Sequence, residues 1–533
     1  MTSTPTLNYD VLLEVLKACP RPDCARFTQT GRFFYTHGVE ALLLDTVTLH
    51  AEEHLLSFLS YLRTPEGTRF QFVRSLAFGY LFDLSEEANQ ALILALPLLS
   101  NLNKLSIWCD SEGPLLSHSG VSNAFAMLTS VRHLSISHAD GHAMGMLRSL
   151  RSELISADIN FSSDGEDAFF DVVPEHDWPL YHPAVVLQHS ASTLETLTSY
   201  RWFTHPSTGP DPTLVYPRMR EVYHERALLP LTVAYTRAYP NLAHLELTES
   251  ELGSDWRPDI QHCILRRHLN IAQQVGSGFT WSELGKFRGI LADLYVLGLT
   301  CPIGDVELRD LHDQVLFMLA PVLFNARPRQ LKCLRWPRIH DAPDTDIFAV
   351  FQGQGGSRLE LLDMDIEIGS DSGAQMAANV DVAAVLDDLL FSLLGTPLQD
   401  LQLDTWVTNL DPRPSTHSEN EQVPRRWSRL PTPPPLNPDD YPLLPAERSA
   451  DTFDLEDYMR RFMREIPTMQ RGQITMIGPR DSWRRVTLTD GQVHFEEKFV
   501  RRRRMVSSGD YSEAALRQAR MEIDEELGHD GSF

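Results

Sequence analysis

The chain has 533 residues, 42% of them hydrophobic, and carries 47 Lys and Arg against 72 Asp and Glu, a formal charge of −25. That length accommodates two or three ordinary domains or one long repeat array, and the apolar share is enough for large cores. The acidic excess argues against nucleic acid and anionic membrane surfaces as main partners, since neutralising phosphate takes concentrated positive charge. It is compatible with a basic protein partner, and equally with solubility alone.

Six cysteines (Cys19, Cys24, Cys109, Cys263, Cys301 and Cys333) are scattered, and none stands in zinc-finger spacing. A reduced, intracellular protein, cytoplasmic or nuclear, is expected. The opening MTSTPTLNYD lacks a basic region followed by an apolar run, so no secretory signal is expected. The most apolar stretch, Ala91 to Leu99, contains Pro97 and falls short of the ~20 residues of a membrane span.

In Leu7 to Leu49, Val11, Leu12, Val15 and Leu16 form an apolar stripe on a short helix, with Asn8 or Asp10 placed to cap it. Pro20 and Pro22 end that helix, Asp23 can cap a second one carrying Phe27, and a third runs from about Arg32 to Leu44. Three short helices make a small core, and their leftover apolar surface is expected to dock on something. The run LNYDVLLEVLKACPRPDCARFTQTGRFFYTHGVEALLLDTVTL resembles a fungal F-box over about 45 residues. Leu7, Val11, Leu12, Val15, Leu16, Arg32, Phe33 and Ala41-Leu42-Leu43 match the family pattern. Asn8 stands where the family usually has Pro, Asp10 where it has Glu, and Thr30-Gly31-Arg32 where Cys-Arg is commoner. The resemblance implies docking on a Skp-family adaptor through Leu7, Val11, Leu12, Val15, Leu16 and Phe33. The same residues would also serve as a helical cap for a repeat array.

Beyond Leu49 the frame (apolar)-x-x-(apolar)-x-(apolar) recurs, which is the mark of a solenoid. It is read at Val73/Leu76/Phe78, Leu102/Leu105/Ile107, Val131/Leu134/Ile136 and Leu154/Ala157/Ile159. Polar-ended copies follow at Leu194/Leu197/Ser199 and Met219/Val222/His224. Then come Leu242/Leu245/Leu247, Leu294/Leu297/Leu299, Leu331/Leu334/Trp336, Leu359/Leu362/Met364, Leu398/Leu401/Leu403 and Trp483/Val486/Leu488. The last two apolar positions of each frame share one face of a strand. Helical segments such as Glu86 to Leu96, Leu308 to Phe324 and Asp381 to Leu394 lie between frames. The fold class is therefore α/β, with an N-terminal three-helix F-box-like unit (1–49) followed by an irregular strand-helix solenoid (50–408). The copies resemble the divergent leucine-rich repeats that often follow an F-box in fungal proteins.

Two stretches interrupt the frame. Phe161 to Asp177 is acidic and reads as a loop, and Asn409 to Arg448 is too proline-dense for a packed helix or central strand. The second, taken as 409–450, is an inserted loop or linker. Order is expected to return in a helix over Phe453 to Ile466, then strands near Ile474 to Ile477 and Trp483 to Leu488, and an edge strand or cap over Gly491 to Phe499. These make final repeats and a C-terminal cap over 451–500, before a charged tail helix over 501–533. Arg501 to Arg504 with Lys498 suit either a nuclear import signal or a solvated helix start.

Chemistry-bearing motifs are sparse. His50-Ala51-Glu52-Glu53-His54 fits a metallopeptidase pattern, yet it opens a helix with an apolar stripe and lacks a further carboxylate ligand in context. Gly353-Gln354-Gly355-Gly356-Ser357 lacks both the third glycine of a dinucleotide fingerprint and the Lys-Ser/Thr of a P-loop. No catalytic residue, metal or cofactor is assigned. The strand residues that point away from the core offer a binding surface instead. Trp108, His244, Glu246, Arg335, Asp363, Asp365 and Asp404 are the candidates, and the acid-rich later set predicts a basic target protein. The resemblance implies a non-catalytic substrate receptor of a cullin-RING ubiquitin ligase, linked to the cullin through the adaptor. The alternative is a solenoid scaffold whose F-box-like unit engages no ligase.

Overall fold

The computed structural model describes residues 8–63, 68–79, 84–109, 115–161, 173–200, 214–225, 230–248, 260–309, 311, 313–334, 336, 348–368, 379–407, 442–478, 482–489 and 491–499, and structural statements below concern these. The acidic stretch 162–172, most of the proline-rich segment (408–441) and the basic run with its tail (500–533) lie outside them, as do Leu7 and Arg335.

Four short helices open the chain: α1 (Tyr9–Ala18), α2 (Arg21–Thr28), α3 (Arg32–His37) and α4 (Val39–Leu42). The Asn8 side chain accepts from the Asp10 amide at 3.1 Å, which caps α1 in place of a proline. Leu16, Cys24 and Val39 are buried where the helices meet. The approach is close enough to demand glycine at position 38, where a Cβ would stand 2.5 Å from the Phe34 carbonyl and 2.9 Å from the Thr28 methyl. An Arg69 guanidinium sandwiched between the Tyr35 and Tyr61 rings, 4.4 and 4.3 Å from their centroids, pins this unit to the next one.

The rest is one open sheet of sixteen strands. In order they are Val47–Leu49 (β1), Ser75–Phe78 (β2), Lys104–Trp108 (β3), His133–Ser137 (β4), Ser156–Asn160 (β5), Thr196–Tyr200 (β6), Glu221–Glu225 (β7) and His244–Thr248 (β8). They continue with Leu284–Gly289 (β9), Ile303–Leu308 (β10), Gln330–Cys333 (β11), Leu361–Ile368 (β12), Asp400–Val407 (β13), Arg471–Ile477 (β14), Ser482–Thr489 (β15) and Gln492–Phe499 (β16). Spatial order equals sequence order. Strands β1 to β14 are all parallel, so each link is a crossover, and β14, β15 and β16 close the sheet as an antiparallel meander.

The crossovers carry α5 (Glu52–Leu62), α6 (Glu86–Ala95), α7 (Ser119–Ala126), α8 (Gly141–Ser149), α9 (Pro183–Val186), α10 (Thr232–Ala238), α11 (Ile260–Ser277), α12 (Leu291–Leu297), α13 (Leu319–Ala326), α14 (Val382–Leu393), α15 (Pro445–Thr452) and α16 (Leu455–Glu465). Their buried faces and the inward strand residues form one continuous core. Two columns run through it in register. One reads Val47, Leu76, Leu105, Leu134, Ala157, Leu197, Val222, Leu245, Phe287, Val306, Leu331, Leu362 and Leu401. The other reads Leu49, Phe78, Ile107, Ile136, Ile159, Ser199, His224, Leu247, Gly289, Leu308, Cys333, Met364, Leu403 and Ile474. Burying each large apolar side chain in these columns is worth about 1.5–3 kcal/mol. A backbone ladder locks the turns before the strands: Asn103 and Lys104 amides both reach Arg74 O, Arg132 and His133 both reach Asn103 O, and Ala243 and His244 both reach Arg220 O.

Five expectations are corrected. The sheet begins at Val47, so β1 belongs to the stack and not to the 1–49 helical unit. Leu294 and Leu297 lie in α12, and the strand of that repeat is Ile303–Leu308. In β11 the inward pair is Leu331 and Cys333, three residues earlier than the pair Leu334/Trp336 of the frame Leu331/Leu334/Trp336. Trp483/Val486/Leu488 is the middle strand of an antiparallel meander and not a further parallel repeat. The helix expected over Leu308 to Phe324 starts later, as a 3-10 turn at Asp313–Met318 running into α13.

Candidate functional site

Two faces of this stack stand open. The first is the outer side of α1. Stripe residues Val11 and Val15 are about half exposed at 48% and 46%, and Tyr9, which starts the helix, is 56% exposed. Leu12 is half-buried, and Phe33 stacks on Tyr9 with ring centroids 4.3 Å apart. Leu16 is a correction. It is fully buried, its Cδ2 close against Gly38, so it holds the helices together and is closed to any partner. The amphipathic helix puts one edge of its stripe inward and leaves the other, Val11-Val15, to solvent.

The second is the sheet face opposite the helices. Its outward positions also run in register, with Ser106, Ser135, Asp158, Thr198, Tyr223, Glu246, Arg288, Glu307, Lys332, Asp363 and Gln402 in the central column. From β8 onward that column alternates in sign. Glu246 is buried and accepts from Arg309 Nη2 at 2.8 Å, with Arg288 Nη1 at 3.7 Å. Arg288 Nε reaches Glu307 at 2.8 Å, Lys286 lies 3.7 Å from Glu307, and Lys332 Nζ holds Asp363 at 3.1 Å. Direct cross-strand pairs of opposite charge stabilise a sheet by roughly 0.2–1 kcal/mol each. Glu246, Glu307 and Asp363 are therefore neutralised from within the sheet. The cations that do this are Lys286 and Arg288 on β9, Arg309 just after β10 and Lys332 on β11, strands that the repeat frame misplaces.

The remaining candidates divide. Trp108 and His244 are half-buried on the open face, Trp108 with its ring 5.1 Å from that of His138. His138 has φ of +57°, a left-handed conformation uncommon for a side chain of that size. Asp365 and Asp404 are register neighbours on β12 and β13, and Asp404 is buried. Over β5 to β7 the face changes character: Ser156, Asp158, Thr196, Thr198, Tyr200 and Tyr223 replace the paired charges, Glu221 and Glu225 stand at the two ends of β7, and the Tyr200 and Tyr223 rings lie 5.3 Å apart.

Two further constellations bear on chemistry. His50 precedes α5, which starts at Glu52, so His50 and His54 do not share a helical turn, and Glu52 is engaged by the Ser85 amide and hydroxyl at 2.8 and 2.7 Å. Among the described residues no three His, Cys, Asp or Glu side chains gather as metal ligands would. Ser199 Oγ hydrogen-bonds His224 Nδ1, which is the pairing of a nucleophile with its base. Both side chains are sealed between sheet and helices, however, at 0% and 3% exposure. Burial pushes His224 down to about 3, and burial followed by the His224 charge does the same to His182. The two polar ends seen in the frame are therefore a closed core pair that no substrate can reach.

No helix among the described residues is long and apolar enough to cross a membrane. No family model matches the chain, and no curated protein matches it.

Proposed function

We propose that the chain is a non-catalytic substrate-recognition subunit of a cullin-RING ubiquitin ligase, working in the cytoplasm or nucleus. The helices α1 to α4 act as an F-box-like unit that docks on a Skp-family adaptor. The strand-helix stack acts as a divergent leucine-rich-repeat solenoid that holds a target protein on its open face. The observation that supports this reading best is the exposed apolar edge Val11-Val15, carried by a small helical unit at one end of a long stack. A receptor of this kind needs no reacting side chain. It raises the effective concentration of target lysines near the ubiquitin carrier, and positioning alone supplies the acceleration.

The test is co-purification of adaptor and cullin with the full chain. Val11→Asp with Val15→Asp places two charges on an exposed face, so the fold is retained while capture is abolished. Undiminished capture by the double variant would place docking elsewhere. The second reading, a scaffold that engages no ligase, is favoured by Asn8, which caps α1 where the family usually has Pro. Absence of the adaptor from a folded, intact chain would select it.

A further inference from the structure

Helix α11 is built inside out. Its buried side chains are polar: Arg267, Asn270 and Gln274, with Cys263 the apolar exception. They hydrogen-bond the carbonyls that end α12, Arg267 Nη1 to Tyr295 O at 2.8 Å, Asn270 Nδ2 to Val296 O at 2.7 Å and Gln274 Nε2 to Gly298 O at 2.9 Å. Asn270 Oδ1 also accepts the Thr232 amide that opens α10, at 3.2 Å. Three side chains on one face of α11 thus satisfy orphan groups at the ends of two neighbouring helices. The consequence lies on the opposite face. Leu265 is 63% exposed, Leu269 42% and Val275 75%, with Ala272 and Gly276 open beside them.

Leu265, Leu269, Ala272 and Gly276 are spaced four, three and four residues apart, the spacing of a seam that packs against another helix. From this we infer that the chain self-associates through α11, pairing antiparallel with α11 of a second copy about a two-fold axis between residues 270 and 271. In that register each large seam residue meets a small one. Leu265 faces Gly276 of the second copy and Leu269 faces its Ala272. A Cβ at Gly276 would meet nothing within 4 Å among the described residues beyond its own helix turn, so that position is open to receive a leucine.

The flanking positions agree with the same occupant. Arg266 comes opposite Gln273 of the second copy and His268 opposite its Val275, so no like charges meet across the seam. The helix has no Asp or Glu in its 18 residues, on a chain of net charge −25 that repels its own copy elsewhere. A two-fold contact of this kind is isologous and closes at two copies. One helix face per copy, about 27 Å long, sits at the small end of interface sizes, below ~1,200 Å². The dimer is therefore weak and concentration-dependent.

Sedimentation equilibrium of the full chain at tens of micromolar tests this. A monomer–dimer equilibrium is expected, abolished by Leu265→Glu with Leu269→Glu while thermal unfolding is unchanged. Leu269→Ala alone is expected to raise the dissociation constant at least tenfold, and adding Ala272→Leu to restore it, since the swap keeps one large and one small residue in each layer. A chain that stays monomeric throughout would overturn the proposal, as would a dimer indifferent to the double glutamate variant or a swap that fails to rescue.

Discussion

At the scale of single residues, the two inward columns show what a repeat tolerates and at what cost. Ser199 and His224 break an otherwise apolar column and survive because they hydrogen-bond each other. Ser199→Ala should cost about 1–3 kcal/mol in chemical denaturation, since it strands a buried imidazole nitrogen. The pH dependence has a definite sign. His224 and His182 are held neutral down to about 3 in the fold and protonate near ~6.5 once unfolded, so the native state binds fewer protons in that window. Stability should therefore fall as pH drops below ~6.5, by about 1.4 kcal/mol per pH unit for each histidine. His224→Leu should roughly halve that slope, which unfolding curves at about pH 5, 6 and 7 would reveal; an unchanged slope would place the acid sensitivity in other groups. Gly38→Val, forcing atoms onto the Phe34 carbonyl, should loosen α1 to α4 by an overpacking cost of about 1–3 kcal/mol without reaching the sheet.

At the scale of elements, side-chain caps hold the irregular parts together. Arg484 on β15 is buried and donates to Ala450 O, Asp451 O and Phe453 O, satisfying the end of α15 just after the proline-rich insertion returns. Asn270→Ala should destabilise by about 1–3 kcal/mol or more, because it leaves Val296 O and the Thr232 amide without their bond. Hydrogen exchange should then rise first at the junction of α10 and α12. Strands β2 to β8, β12 and β13 were readable from the leucine frame because each keeps an apolar turn residue ahead of its inward pair, as Leu242 does for Leu245 and Leu247. The frame failed at β9, whose second inward position is Gly289. A Cβ there would stand 2.3 Å from Leu247 O, so β8 presses where a leucine would be sought. It failed again at Leu294/Leu297/Leu299, where a fully buried helix imitates a buried strand, a confusion that periodicity alone cannot resolve.

At the scale of the whole molecule, those misplaced strands hide the basic half of the open face. With β9 and β10 absent, Arg288, Lys286 and Arg309 were absent too, and the open face looked acidic. In place, they turn it into a ladder of alternating charge from Glu246 to Asp363. The N-terminal site was legible as a stripe, but not the division that buries Leu16 and exposes Val11 and Val15, because helix packing angles are not written in a short amphipathic pattern. What emerges is a fourteen-strand parallel stack, closed by an antiparallel meander, with a helical unit at its head whose one apolar edge faces outward. The proposed docking on an adaptor depends on that edge. Isothermal titration of the purified full chain with a Skp-family adaptor tests it most directly. Saturable one-to-one binding is predicted, weakened at least a hundredfold by Val11→Asp with Val15→Asp and with no change in thermal unfolding. No heat from a folded chain, or equal binding by the double variant, would contradict it.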